Sequence, residues 1–215
     1  GRTSDHPLPQ VIFANRAARG ATGDVDPYIY HGGPDGFSAK RRTALNGRDA
    51  VAAAACDLND DGRPDIITVN CSENAINLDP GSFIFYGRDD GYGYEPDVAL
   101  DTTRAHGVVC ADFNCDGYLD LVIGGFRFPE LRFFYGGPDG FDAENPETIR
   151  MELDGVEYDQ PRWLYTADLN NDGWLDIVIP QIAYDRSIIL YGSSEGFSLE
   201  NRQMLSVFHG ACVQA

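Results

Sequence analysis

Three nine-residue loops carry oxygen-bearing side chains at fixed positions. They read DLNDDGRPD (residues 57–65), DFNCDGYLD (112–120) and DLNNDGWLD (168–176). Acidic or amide side chains occupy positions 1, 3, 5 and 9 of every loop, and a glycine follows position 5. Such a loop can curl so that alternate side chains converge on one point, while the glycine takes the sharp turn. The pattern predicts three metal sites.

The candidate metal ligands are oxygen atoms throughout. The side-chain candidates are Asp57, Asn59, Asp61, Asp65, Asp112, Asn114, Asp116, Asp120, Asp168, Asn170, Asp172 and Asp176. Position 7 adds a backbone carbonyl, from Arg63, Tyr118 or Trp174. A hard cation that takes about six to eight oxygen ligands fits this set, which predicts Ca²⁺ in each loop. Mg²⁺ rarely uses all-protein cages, and softer metals prefer the His or Cys that the ligand positions lack.

Two other interpretations compete with calcium. A single DxNxDG run is also typical of an Asx-rich turn. Three copies, spaced by 55 and 56 residues and each ending in aspartate, favour a metal instead. An EF-hand needs a glutamate at position 12, where this sequence has Thr68, Ile123 and Ile179. It also needs flanking helices, whereas the runs that follow these loops are apolar and β-branched and predict strands.

A second motif alternates with the acidic loops and predicts β-hairpin turns. Its copies read YHGGPDGF (30–37), YGRDDGY (86–92), YGGPDGF (135–141) and YGSSEGF (191–197). Each copy follows a short β-rich run, and its second glycine recurs at intervals of 55, 49 and 56 residues. The repeating unit therefore contains four antiparallel strands. Repetition at this period is the signature of a β-propeller blade, so we predict an all-β propeller fold.

The repeats organise residues 1–215 into a single domain of four units. The units cover about 1–47 plus 208–215, 48–103, 104–159 and 160–207. Residues 9–15 align with a second strand and residues 209–215 with a first strand, so the two ends would complete one unit together. Either four units close by themselves, or the chain belongs to a larger ring completed by another chain or by further residues. Residues 1–10 lack the ligand pattern, so we expect no fourth metal site there.

Composition and charge exclude several classes of partner. The formal net charge is −18, and nine of the 34 acidic residues are ligand candidates. Such acidity argues against nucleic acid and against an anionic membrane surface. No apolar run approaches about 18 residues, so no membrane insertion is expected. The chain has neither an initiator methionine nor a signal peptide, which predicts a processed or truncated product.

The cysteines do not suggest a disulfide framework. Cys56, Cys71, Cys110, Cys115 and Cys212 form an odd and scattered set. Most are expected to be small buried hydrophobic residues at strand ends. Cys115 lies between two ligand positions of its loop, where we expect its side chain to point outward.

The acidic loops resemble those of FG-GAP/VCBS repeats, which occur in integrin α-subunit propellers and in many secreted bacterial proteins. Residues 106–126 (HGVVCADFNCDGYLDLVIGGF) carry the resemblance most closely, and it extends over nearly the whole chain. It implies that each calcium loop joins the first and second strands of a blade, with the ligands named above. It also implies an extracellular, cell-surface or periplasmic location. Functions in that family range from adhesion to glycan binding and polysaccharide cleavage, so the resemblance implies the fold better than the function.

Basic and aromatic residues concentrate where the first strands begin, at the end of the predicted channel opposite the calcium loops. They are Arg48, Arg104, His106, Arg162, Trp163 and His209, joined by Arg16, Arg19, Arg127, Tyr184 and Arg186 from the loops between second and third strands. One interpretation is that they pair with nearby acids and cover the surface. The other is a site for an acidic ligand such as a uronate- or sulfate-bearing glycan, because arginine binds carboxylate and sulfate through two hydrogen bonds.

Two functional classes fit these residues. The first is a binding or scaffold module for a glycan or protein ligand. The second is a polysaccharide lyase, with His106 or His209 as the base and Tyr165 or Tyr184 as the acid. No local motif joins those histidines to those tyrosines, and a histidine near a strand end is more often structural. The binding module is therefore favoured over the enzyme.

Overall fold

The computed structural model describes residues 9–18, 20, 22, 24–71, 81–140 and 142–210. These residues form strands, turns and connecting segments, and none of them lies in a helix. The described part of the chain accordingly offers no helix of the length and apolarity needed to cross a membrane. The predicted all-β class is confirmed.

Four antiparallel sheets follow one another along the chain. Sheet I contains β1 (Gln10–Phe13), β2 (Tyr28–His31) and β3 (Arg42–Ala44). Sheet II contains β4 (Ala50–Cys56), β5 (Asp65–Asn70), β6 (Ser82–Phe85) and β7 (Val98–Leu100). Sheet III contains β8 (Ala105–Ala111), β9 (Asp120–Gly125), β10 (Glu130–Phe134) and β11 (Glu147–Arg150). Sheet IV contains β14 (Tyr165–Ala167), β15 (Asp176–Ile179), β16 (Arg186–Leu190) and β17 (Arg202–Ser206), and a hairpin of β12 (Glu152–Leu153) and β13 (Val156–Glu157) precedes it.

Neighbouring strands within each sheet are consecutive in the chain. The three acidic loops connect β4 to β5, β8 to β9 and β14 to β15, which are the first and second strands of sheets II, III and IV. Sequence reasoning predicted this connection and the four strands of each unit, and both are confirmed for these three sheets. In sheet I, β1 lies within the segment predicted as a second strand and pairs with β2.

Apolar clusters join each sheet to the next. Sheets I and II share a cluster that includes Ile29, Leu45, Ile66 and Phe85. Sheets II and III share one that includes Ile67, Ile84, Leu121 and Phe134. Sheets III and IV share one that includes Val122, Phe133, Ile177 and Leu190. Successive residues of a strand point to opposite faces, so a strand buried on both faces needs a continuous apolar run.

The strand predicted for residues 209–215 lies mostly outside the described residues. His209 and Gly210 lie in and just after a turn rather than in a strand, and residues 211–215 are outside the described residues. Among the described residues, sheet I has three strands, and β1 pairs only with β2. Closure of a ring by the two chain ends therefore stays a prediction.

Candidate metal centres and an arginine cluster

Each acidic loop is curled by hydrogen bonds between its own side chains and backbone amides. In residues 112–120 the two carboxylate oxygens of Asp112 accept from the amides of Asp116, at 3.1 Å, and Gly117, at 3.0 Å. The Asn114 side-chain oxygen accepts from the Asp116 amide at 3.0 Å. Asp116 accepts from the Tyr118 amide at 2.9 Å. Positions 1, 3 and 5 thus direct their oxygens towards the inside of the loop.

The backbone conformation of the loops is the same in all three copies. Position 4 has a left-handed conformation, with φ of 55° at Asp60, 58° at Cys115 and 59° at Asn171. The glycine at position 6 also has positive φ, 93° in Gly117. The predicted sharp turn at this glycine is confirmed, and so is the predicted exposure of Cys115.

The aspartate at position 9 has a role that sequence reasoning missed. Asp120 is buried, and its two oxygens accept from the amides of Phe113 and Gly136, each at 2.8 Å. Its carboxylate therefore joins position 2 of the acidic loop to the turn that follows β10. The equivalent pairs of amides are Leu58 and Gly87 for Asp65, and Leu169 and Gly192 for Asp176. We refer to Asp65, Asp120 and Asp176 as the ninth-position aspartates.

The backbone of the turn after β10 also passes close to the backbone of the acidic loop. A Cβ atom on Gly136 would lie 2.3 Å from the Leu119 carbonyl oxygen, so no other residue fits without movement of the backbone. Gly136, the first glycine of the YGGPDGF motif, is therefore needed for the close contact with the acidic loop as well as for the turn.

Burial raises the pKa of Asp65 and of Asp120, and the two backbone hydrogen bonds to each carboxylate oppose that shift. The carboxylates accept one amide hydrogen bond per oxygen, and each oxygen has a second lone pair. A ninth-position aspartate can therefore hold the loop and still offer an oxygen to a cation.

The donor chemistry of the loops fits a hard cation, because every candidate ligand is an oxygen. Each loop offers two carboxylates and one amide at positions 1, 3 and 5, and its third carboxylate is held by the amides described above. No group of three or more His, Cys, Asp or Glu side chains in the described ranges is gathered as a metal-binding cluster. Calcium in these loops accordingly stays a prediction.

A cluster of cationic and aromatic side chains surrounds Phe126, which is buried. The guanidinium carbons of Arg162, Arg104 and Arg127 lie 3.7, 4.9 and 5.2 Å from the centre of its ring. His106 packs edge-on against Phe126 at 6.2 Å and against Trp163 at 6.0 Å between ring centres. We call this group, Arg104, His106, Phe126, Arg127, Arg162 and Trp163, the arginine cluster. It unites five of the seven residues predicted to bind a ligand.

The start of β8 and the end of β9 position the arginine cluster. The Phe126 amide donates to the Arg104 carbonyl at 2.9 Å, and the Arg104 side chain donates back to the Phe126 carbonyl at 2.7 Å. Arg104 and Arg127 both have positive φ, 47° and 53°. The segment just before β14 supplies Arg162 and Trp163. It lies close to β8, since a Cβ atom on Gly107 would be 2.3 Å from the Arg162 carbonyl oxygen. The glycine thus lets the segment of Arg162 and Trp163 approach β8.

The other two predicted ligand-binding residues lie elsewhere. Arg48 forms an ion pair with Asp24, and Arg186 is the exposed first residue of β16. For Arg48, the structure thus favours the alternative interpretation, in which a surface arginine pairs with a nearby acid.

Two of the candidate catalytic residues are engaged in local structure. The Tyr184 hydroxyl lies 2.6 Å from the Glu157 carbonyl oxygen and 2.9 Å from the Asp159 carboxylate. Burial is the largest cause that raises the pKa of Tyr184. The His209 ring donates to the Ile182 carbonyl. Tyr165 begins β14 and is half-buried. Of the four catalytic candidates, His106 is the one included in the arginine cluster as defined above.

Comparison with known proteins gives one partial similarity. No protein-family model matches the chain. Over 114 residues the chain is 30% identical to a Homo sapiens protein, Cartilage acidic protein 1. The match covers 49% of this chain and 16% of the human protein. The chain thus spans much less than two thirds of that relative, and the similarity concerns one part of it.

Proposed function

We propose that this protein is a calcium-stabilised β-propeller that acts outside the cell as a binding module for acidic glycans. The observation that carries the binding proposal is the convergence of three arginines and a histidine on Phe126, with Trp163 packed against that histidine. The calcium part rests on the oxygen ligands of the three acidic loops, and the propeller part on the order in which the sheets pack.

The arginine cluster has the chemistry of an anion site. Its three guanidinium groups all lie within 5.2 Å of one ring centre, hence within about a Debye length of one another, roughly 8–10 Å. Guanidinium groups recognise carboxylate and sulfate through charge-assisted hydrogen bonds, often formed in pairs. Trp163 supplies an aromatic face beside them. A sugar polymer with uronate or sulfate groups offers anionic groups to the arginines and a sugar-ring face to the tryptophan.

The proposal of a propeller rests on sheet order. Each apolar cluster joins consecutive sheets, I to II, II to III and III to IV, as blades around a common axis would be joined. The acidic loops connect first and second strands, which is also what the FG-GAP/VCBS resemblance implies. Two forms of closure are compatible with this proposal: four units that close through the C-terminal residues, or a larger ring that a second chain or further residues complete.

Removal of residues 207–215 tests closure by the chain ends. In sheet I, β1 pairs only with β2 among the described residues, and a free strand edge promotes aggregation. If the C-terminal residues cover that edge, we expect the shortened protein to be insoluble or oligomeric in size-exclusion chromatography with light scattering. A soluble, folded monomer after the deletion would contradict closure by this segment.

An extracellular, cell-surface or periplasmic location is part of the proposal. The human protein that shares part of this sequence bears a name that refers to cartilage. The acidic loops would hold calcium best where calcium is abundant, since extracellular calcium modules bind with Kd values of about 10⁻⁴–10⁻³ M.

A glycan-binding assay tests the arginine cluster directly. The double variant Arg127→Gln and Arg162→Gln should lose about 10-fold or more in affinity for sulfated or uronate-bearing glycans, because charge-assisted hydrogen bonds contribute about 1.5–3 kcal/mol each. Binding by the unaltered protein should weaken with added salt, and a neutral glycan should bind poorly to both proteins. Isothermal titration calorimetry at two salt concentrations measures these differences.

The matched control removes the same charge at other surface positions. Arg48 pairs with Asp24 and Arg150 pairs with Glu157, so Arg48→Gln with Arg150→Gln changes net charge equally without touching the cluster. We expect this control to bind acidic glycans nearly as well as the unaltered protein. If both double variants lost the same affinity, the effect would come from net charge and not from the arginine cluster. No binding by the unaltered protein would refute the glycan proposal and favour a protein partner.

Lyase activity is measured on the same samples. His106 belongs to the arginine cluster, so a bound uronate polymer would lie near a candidate base. We expect binding without cleavage. Unsaturated product that absorbs in the ultraviolet, and that a His106→Gln variant fails to form, would instead establish the enzyme.

A further inference from the structure

Two cysteines from neighbouring sheets face each other beneath the acidic loops. Cys56 is the last residue of β4, and it packs together with Ala52 and Ala54 against the apolar cluster between sheets II and III. Cys110, in β8, packs with Val108 against the same cluster from the other side. Cα atoms of β4 and β8 approach within 8 Å of each other. Because side chains alternate along both strands, the two thiols point into the same space between sheets II and III.

The two thiols also interact. The Cys56 thiol lies within hydrogen-bonding reach of the Cys110 thiol. Both side chains are half-buried, whereas Cys71 is fully buried and Cys115 is exposed on the tip of its loop. Among the four cysteines that the structure describes, these two are the pair brought together.

We propose that Cys56 and Cys110 form a disulfide bond that joins sheets II and III when the protein meets an oxidising thiol–disulfide couple. The thiolate of one cysteine attacks a small disulfide such as oxidised glutathione, forming a mixed disulfide and releasing one small thiol. The other cysteine then displaces the second small thiol. The protein loses two hydrogen atoms and gains one S–S bond, while the small disulfide is reduced to two thiols.

The position of this bond gives it a structural consequence. Cys56 directly precedes the first acidic loop, and Cys110 precedes the second by one intervening residue. The bond would therefore hold the starts of two loops at a fixed distance and would close a long segment of chain between them. A cross-link of this kind restricts the unfolded chain and stabilises the folded one. It depends on neither calcium nor a glycan.

Peptide mapping of the unaltered protein tests the proposal. The protein is equilibrated in a buffer of oxidised and reduced glutathione, its remaining thiols are alkylated, and it is digested without reductant. We expect a cross-linked pair of peptides containing Cys56 and Cys110, an intact mass lower by two hydrogen atoms, and a Tm higher by roughly 5–10 °C than that of the reduced protein.

Two variants separate this bond from other thiol chemistry. Cys110→Ser should abolish the mass change and the rise in Tm. Cys115→Asn is the matched control, because asparagine occupies the equivalent position 4 of the third loop as Asn171. This control should retain both effects. Complete alkylation of Cys56 and Cys110 after oxidation, or a cross-link from either one to Cys71, Cys115 or Cys212, would overturn the proposal.

Discussion

Replacement of Asp120 by alanine is expected to destabilise the protein by about 2–4 kcal/mol, because it leaves two amides without their acceptor. The buried carboxylate accepts from Phe113 and from Gly136, at 2.8 Å each. These two hydrogen bonds do not involve the ion, so the loss should already be present in a calcium chelator, and it should be larger in calcium, where the same carboxylate would also be a ligand. Urea unfolding followed by circular dichroism measures the free energy of unfolding in both conditions.

Asp116→Ala is the control for that experiment. Asp116 belongs to the same acidic loop, but its side chain is exposed and accepts from the loop amide of Tyr118. Its removal should change the free energy of unfolding little in chelator and more in calcium, where it would be a ligand. If Asp116→Ala and Asp120→Ala cost the same in chelator, the structural role given to the ninth-position aspartates is wrong.

Calcium is expected to raise the Tm of the protein by about 5–10 °C or more. Exclusive binding of an ion to the folded state stabilises it by about 2.7 kcal/mol per site when the free ion is about 100 times its Kd. For a domain of this size, each kcal/mol raises Tm by about 2–4 °C. Each loop also gathers carboxylates that repel one another until a cation neutralises them. Thermal unfolding with calcium and with chelator measures the effect.

Specificity and stoichiometry control the calcium experiment. Magnesium at the same concentration should have a much smaller effect, because it dehydrates reluctantly and rarely uses all-protein cages. Calorimetric titration should give three calcium ions for the unaltered protein and two for Asp172→Ala. An unchanged Tm at millimolar calcium would show that the acidic loops are Asx-rich turns, which is the alternative that the sequence left open.

The acidic loops and strands were predictable because they repeat. Three copies of one pattern define the ligand positions, and the apolar runs after them predict second strands buried on both faces. The orientation of the ninth-position aspartates was not predictable, because the sequence shows an oxygen without showing which amide reaches it. Asp120 contacts Gly136, whose place in the structure depends on the path of two strands between them.

The arginine cluster was predictable in part. Strand order brought Arg104 and Arg162 to the start of neighbouring first strands, but nothing marked Phe126 as the ring around which they gather. The cysteine pair was missed for a related reason. Cys56 and Cys110 occupy non-equivalent positions of their repeats, so only the packing of β4 on β8 reveals that they meet.

The ninth-position aspartates also decide where the chain can be engineered. Surface turns are the usual sites for inserting tags or foreign domains. In sheets II, III and IV, one buried carboxylate accepts hydrogen bonds from both the acidic loop and the turn after the third strand. An insertion in the loop or in the turn would therefore break the connection between them. The turn between β12 and β13 is different, because Asp154 and Gly155 are exposed and already adopt positive φ. A fusion partner placed there would leave the carboxylate bonds of all three sheets intact.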